Sequence, residues 1–210
     1  MYENILKKEL KKQMPPISTN MHFGKLFIEN SKSEIHIPSF IVGMVSPETI
    51  NEDDFEDLHT FDEDGNMDVR EFYEQFDFKK LNLKEKSFIL GYYCHLWFDE
   101  YYKFNASKLT VYNNVDLTDE ELILAVKSTL RHYDNKYTNN FFEKYSKEIS
   151  DFEENINIKN LSGICIKKAK DKISEFLSED VPESVYPQLI DEHEYMSLIK
   201  NGCSKIMKSL

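Results

Sequence analysis

The segment from Leu83 to Phe104, LKEKSFILGYYCHLWFDEYYKF, constrains this chain more than any other. Phe88, Ile89, Leu90, Tyr92, Tyr93, Leu96, Trp97 and Phe98 cover nearly every face of a helix drawn through it, and a helix that is apolar all round has to be buried by its neighbours. Two side chains contradict that setting. His95 and Asp99 stand at i and i+4, so both point the same way. An ionised carboxylate taken out of water costs several kcal/mol unless it is paired or meets a metal. A divalent ion between or opposite the two side chains would satisfy both. So would a histidine and an aspartate that hydrogen-bond each other, or nearby backbone, inside the core.

A buried helix needs a core around it, and 210 residues with 15 Phe and 12 Tyr can supply one. With only six Gly and six Pro and long stretches of 3.6-residue periodicity, the expected architecture is all-α, a multi-helix bundle in which strands are incidental. The expected organisation is an N-terminal helical extension over residues 1–13 and a single α-helical domain over 14–210. Within that domain, 14–105 form a metal-site half and 106–210 the helices that complete the bundle. The formal charge of −12 argues against nucleic acid and anionic membrane as partners, because both demand a basic surface. Cys94, Cys165 and Cys203 are odd in number and form no CxxC, which predicts reduced thiols. No segment approaches the roughly 20 apolar residues of a membrane span, and the charged N-terminus lacks a secretory apolar core. A cytoplasmic location is the expectation.

Helices are expected over Tyr2–Gln13, stopping before Pro15-Pro16, then from about Asn20 to Asn30, and from near Pro38 to before Pro47. An acidic connection, Asn51 to Asp68, leads to an amphipathic helix from Val69 to about Phe78 and then to the buried helix. Thr118 with Glu121 three residues on is a capping box. It announces a long helix through Leu122, Leu124, Val126, Leu130 and Tyr133 toward Phe142 and Tyr145, with a break near Asn135–Asn140. An amphipathic segment from Ile164 to Leu177, a loop marked by Pro182 and Pro187, and a helix from Leu189 to Met207 complete the chain.

Three more polar positions stand in short motifs upstream. His22 lies at the start of an amphipathic helix behind Ser18 and Thr19, where surface or capping roles are the ordinary ones. Glu48 sits just past an apolar helix that ends at Pro47, and a carboxylate there opposes the helix macrodipole unless a cation compensates. His59, between Leu58 and Phe61, can point inward despite its acidic neighbourhood. Taken in order, the segments MPPISTNMH, IVGMVSPE, LHTF and FILGYYCHLWFD resemble the zinc-dependent phospholipase C family. Its short bacterial members run MPxxTH, GxxxPD, HF and FLxGYxxHxxxD. The resemblance covers about residues 14 to 105.

What the resemblance implies is a zinc site with one or two ions. His95, Asp99, Glu48 and His59 would hold one zinc, and Asp99 and His22 would serve a second. Glu48 and Asp99 would be the catalytic carboxylates, Glu48 or a neighbour taking the proton from an attacking water. Imidazoles and carboxylates with positions left for water describe a catalytic zinc rather than a structural one. The implied substrate is a small-molecule phosphate ester or a phospholipid headgroup. Three features depart from the family pattern. Glu48 replaces an Asp, Thr60 separates His59 from Phe61, and no HxxxE follows Asp99, which leaves a mono- or dinuclear site rather than a trinuclear one.

Other chemistries find less support. FDEDGNMDVREF, residues 61 to 72, alternates acidic side chains as a calcium loop does, but Met67 holds the obligatory glycine position and Tyr73 the bidentate glutamate position. There is no GxSxG, Walker loop or GxGxxG. Cys94 points about 100° away from His95, so core packing accounts for it. Tyr92, Tyr93 and Trp97 are core or pocket wall, and His36, His132 and His193 are assigned no ligand role. The rival to an enzyme is a non-catalytic helical binding or assembly protein with a structural metal or a buried His/Asp network.

Overall fold

The computed structural model describes residues 15–49, 69–110, 112, 117–138, 140–152, 161, 165–179 and 189–210. Among these residues the protein is an all-α multi-helix bundle without a strand. The expected helix over residues 2–13, the acidic connection 51–68, His59 and the Pro182–Pro187 loop lie outside them. Its helices are α1 (Ile17–Asn30), α2 (Ile37–Val45), α3 (Val69–Glu74), α4 (Leu83–Asn105), α5 (Asp119–Thr138), α6 (Ser146–Ser150), α7 (Ile166–Ser178) and α8 (Glu192–Ser209). None of them is long and apolar enough to cross a membrane.

Side-chain caps explain several of the boundaries. Asn82 and Glu85 form a reciprocal capping box at α4, with the Glu85 amide donating to Asn82 at 3.0 Å and the Asn82 amide to Glu85 at 2.9 Å. Thr118 and Glu121 do the same at α5, as expected. Helix α5 ends at Thr138, and Asn140 takes φ 58°, a left-handed conformation that Asn tolerates. His36 caps α2 through Nδ1, with Pro38 in the first turn. Helix α3 stops at Glu74, short of the expected Phe78. Helix α1 starts at Ile17, three residues before the expected Asn20, because the Pro16 carbonyl accepts from the amides of Thr19 and Asn20. Ser18, Thr19 and Asn20 usually leave a helix start to cap it. Here they are buried within the first turn and their side chains bond to other helices.

Helix α4 is the centre, buried along most of its length as its composition predicts. Helix α2, buried from Pro38 onward, packs on it most extensively, and two glycines make the approach possible. A Cβ added to Gly43 would lie 2.1 Å from the Phe88 carbonyl oxygen, and one added to Gly91 would lie 2.1 Å from the Phe40 carbonyl oxygen. Backbone therefore meets backbone at this crossing, and it brings the C-terminal turn of α2 against His95. On the other side, α1 packs against α5, α8 and α2, with Phe23 stacked on Phe98 of α4 at 4.2 Å between centroids. Helix α7 covers α2 and the 3-10 turn Ser46–Thr49. Both halves of the chain therefore contribute to one core.

Candidate functional site

His95 is 1% exposed and Asp99 3%, so the two residues flagged by their apolar surroundings are indeed buried. The His95 Nδ1 lies 2.8 Å from the Met44 carbonyl oxygen. A carbonyl has no proton to give, so Nδ1 carries the hydrogen and donates it. That leaves Nε2 facing Asp99 Oδ2 at 3.1 Å, in ion-pair range but without hydrogen-bond alignment, and Oδ2 has no hydrogen-bond partner. The other Asp99 oxygen accepts from the Asn20 side-chain amide at 3.3 Å. Burial works against a charged His95, but the Asp99 and Glu48 carboxylates and the Met44 carbonyl outweigh it, and the pKa of the imidazole is raised. The surroundings of His95 thus favour its protonated form.

His22, 1% exposed, sits on α1 and turns to a residue that sequence reasoning did not select. Its Nδ1 lies 2.9 Å from Oδ1 of Asp134, which is fully buried on α5. Asp134 collects three further hydrogen bonds: Ser18 Oγ and Thr19 Oγ1 donate to Oδ2 at 2.8 Å each, and the Tyr195 hydroxyl donates to Oδ1 at 2.5 Å. Burial, then the Asp134 charge, pushes the Tyr195 pKa far upward, so that hydroxyl stays a donor. The His22 ring is stacked on Tyr137 at 5.5 Å and meets the edge of Tyr195 at 6.5 Å. Its Nε2 is buried without a partner, as is Asn20 Oδ1.

Helix α1 therefore presents Asn20 to Asp99 and His22 to Asp134. Glu48 lies in the 3-10 turn after α2, with a side chain 28% exposed and close enough to His95 to raise its pKa. The cation that its place at a helix end calls for is present in the chain itself. Lys172 of α7 donates to the Glu48 carbonyl at 2.7 Å and holds Nζ 3.6 Å from Oε2. No three His, Cys, Asp or Glu side chains among the described residues form a group able to hold a metal ion.

The chain matches no protein-family model, no curated protein and no solved structure.

The chemistry of the described site therefore rests on its atoms. Asp99 Oδ2, His22 Nε2 and Asn20 Oδ1 are buried atoms without hydrogen-bond partners, and with Nδ1 protonated in both rings all three are lone-pair acceptors. A set of buried acceptors suits a cation or a proton and suits no anion. Imidazole, carboxylate and amide oxygen are each donor types that zinc and neighbouring divalent ions accept. Asp134 had a sequence signal: it falls at i+4 after Leu130 on the stripe Leu122, Val126, Leu130, where a charged residue demands an explanation. Tyr195 and the Met44 carbonyl had none. Tyr92 is plain core stacked on Phe72, and Trp97 lies between Phe23 and Tyr101. Cys94 is packed inside, where burial raises its thiol pKa.

Proposed function

We propose that this protein is a metal-dependent hydrolase of phosphate esters, acting through a mono- or dinuclear zinc site built on His95 and Asp99, with phospholipase C-like cleavage as its specific form. The supporting observation is the buried facing of His95 Nε2 and Asp99 Oδ2 at 3.1 Å, with Oδ2 lacking a hydrogen-bond partner. In a neutral ring whose Nδ1 hydrogen is committed to Met44, both atoms present lone pairs, and a positive charge has to stand with them.

Each residue has a task. The Met44 carbonyl orients His95, as an acceptor behind a metal-binding imidazole does. Asn20 holds the second oxygen of Asp99. Glu48, partly exposed and held in place by Lys172 on its carbonyl, would take the proton from the attacking water. His22 and His59 are the further ligands that the family resemblance supplies. A zinc ion held there would supply Lewis acidity for a phosphoryl oxygen and would acidify water at neutral pH. A small-molecule phosphate ester or a phospholipid headgroup is the substrate class, since a net charge of −12 opposes nucleic acid.

A second reading has its own support. The raised pKa of His95 lets a protonated imidazole pair with Asp99, which makes the cluster a structural network in a binding protein. Elemental analysis with an assay on bis(p-nitrophenyl) phosphate separates the two. The hydrolase carries about one to two zinc per chain, turns the ester over, and loses metal in His95→Ala and Asp99→Ala but not in His36→Ala. Protein without zinc after incubation with it, or zinc retained by both variants, refutes the proposal. Bound zinc without turnover favours the second reading.

A further inference from the structure

We infer that Asp134 is a positioning residue for the cation site: it fixes His22 in the tautomer protonated at Nδ1, so that the lone pair of Nε2 is what helix α1 offers to a cation. The cation rests on the function proposed above, whereas the tautomer does not.

A carboxylate oxygen bears no hydrogen, so the 2.9 Å contact between Asp134 Oδ1 and His22 Nδ1 requires N–H on the ring. The carboxylate cannot turn away. Ser18 and Thr19 hold one of its oxygens and Tyr195 the other, from the first turn of α1 and from α8. The stack on Tyr137 and the edge contact with Tyr195 hold the ring plane, and turning the ring over within that plane would take Nδ1 away from Asp134. What remains is Nε2, buried and unpartnered. A carboxylate behind an imidazole fixes the tautomer and raises the basicity of the distal nitrogen, and loss of such a partner weakens metal binding about 10- to 100-fold. The arrangement also gives a role to residues with no evident reason to be buried. Three hydroxyls from two helices converge on Asp134, and all of them hold the group that orients His22.

The test combines two measurements on the full chain. Long-range 15N–1H correlation of the metal-free protein reports which ring nitrogen of His22 is protonated, and chelator competition reports zinc affinity. Three proteins are compared: wild type, Asp134→Asn and Tyr195→Phe. The Asn variant keeps the shape of the side chain and an oxygen that can accept from Nδ1, while the Ser18 and Thr19 hydroxyls turn to accept from its amide, so it removes only the negative charge that raises the basicity of Nε2. Tyr195→Phe removes a hydrogen bond from the same carboxylate and leaves the carboxylate on the ring, so it controls for a merely structural effect. Wild-type His22 protonated at Nδ1, a zinc-binding step weakened about 10- to 100-fold in Asp134→Asn, and near wild-type affinity in Tyr195→Phe support the inference. His22 protonated at Nε2, undiminished affinity in Asp134→Asn, or an equal loss in Tyr195→Phe overturns it. Wild type that binds no zinc refutes the proposed function instead, and the tautomer alone then decides this inference.

Discussion

Replacing Gly91 with alanine tests whether the approach of α2 to α4 sets the site. The new Cβ would stand 2.1 Å from the Phe40 carbonyl oxygen and 3.0 Å from the Met44 amide nitrogen. The obstacle is backbone, which cannot rotate aside, so the helices must part by about 0.9 Å to reach the closest contact that real Cβ atoms tolerate. Met44 moves with α2, and the His95 bond to its carbonyl, now 2.8 Å, stretches toward ~3.7 Å, outside hydrogen-bond range. Three contributions then compete. Overpacking costs about 1–3 kcal/mol, a buried donor and acceptor left apart cost about 1–3 kcal/mol, and the better helix propensity of alanine returns about 1 kcal/mol. The expected net is a destabilisation of about 3 kcal/mol, read as a lower urea midpoint at unchanged slope. Gly202→Ala is the control, because its Cβ would meet a ring atom of the Tyr101 side chain at 3.1 Å, and that ring can give. Its cost should stay within about 1 kcal/mol. Gly91→Ala as stable as wild type, or more so, refutes the argument, since propensity alone predicts a gain.

Two further outcomes follow from the buried charges. Asp134→Ala strands the His22 N–H and three hydroxyls inside the core and should lower unfolding free energy by about 3–5 kcal/mol, more than Asp134→Asn; a loss under about 1 kcal/mol in urea titration would mean the network is not formed in solution. The raised pKa of His95 gives metal-free protein a pH dependence: its contribution is fully present below the ordinary value of 6.5 and is lost as pH rises through the folded-state pKa. Stability should therefore fall above pH 6.5, a slope absent in His95→Gln. His36, whose pKa burial lowers, acts on the acid side of 6.5 and does not confuse that window. A metal-free protein that gains stability across it contradicts the assigned charge.

Local chemistry made much of this protein legible. An apolar run without a polar face had to be a central buried helix, and α4 is one. Capping pairs such as Thr118 and Glu121 mark a helix start wherever they occur, because both partners lie within one turn. The burial of His95 and Asp99 followed from their neighbours for the same reason. Partners across the fold were another matter. Nothing near Glu48 in sequence announces that Lys172 will stand at its helix end. Ser18 and Thr19 read as helix-start residues until α5 supplies an acceptor that draws them inward. The identity of what faces His22 depends on how α1, α5 and α8 pack, over a separation of 112 residues to Asp134. The sequence by itself therefore determined most of the helices and the burial of His95 and Asp99, since both depend on neighbours within a few residues. Only tertiary packing decided that Asn20 meets Asp99, that Asp134 meets His22 and that the Met44 carbonyl orients His95, because hydrogen bonds between helices form only after apolar faces have set the distances.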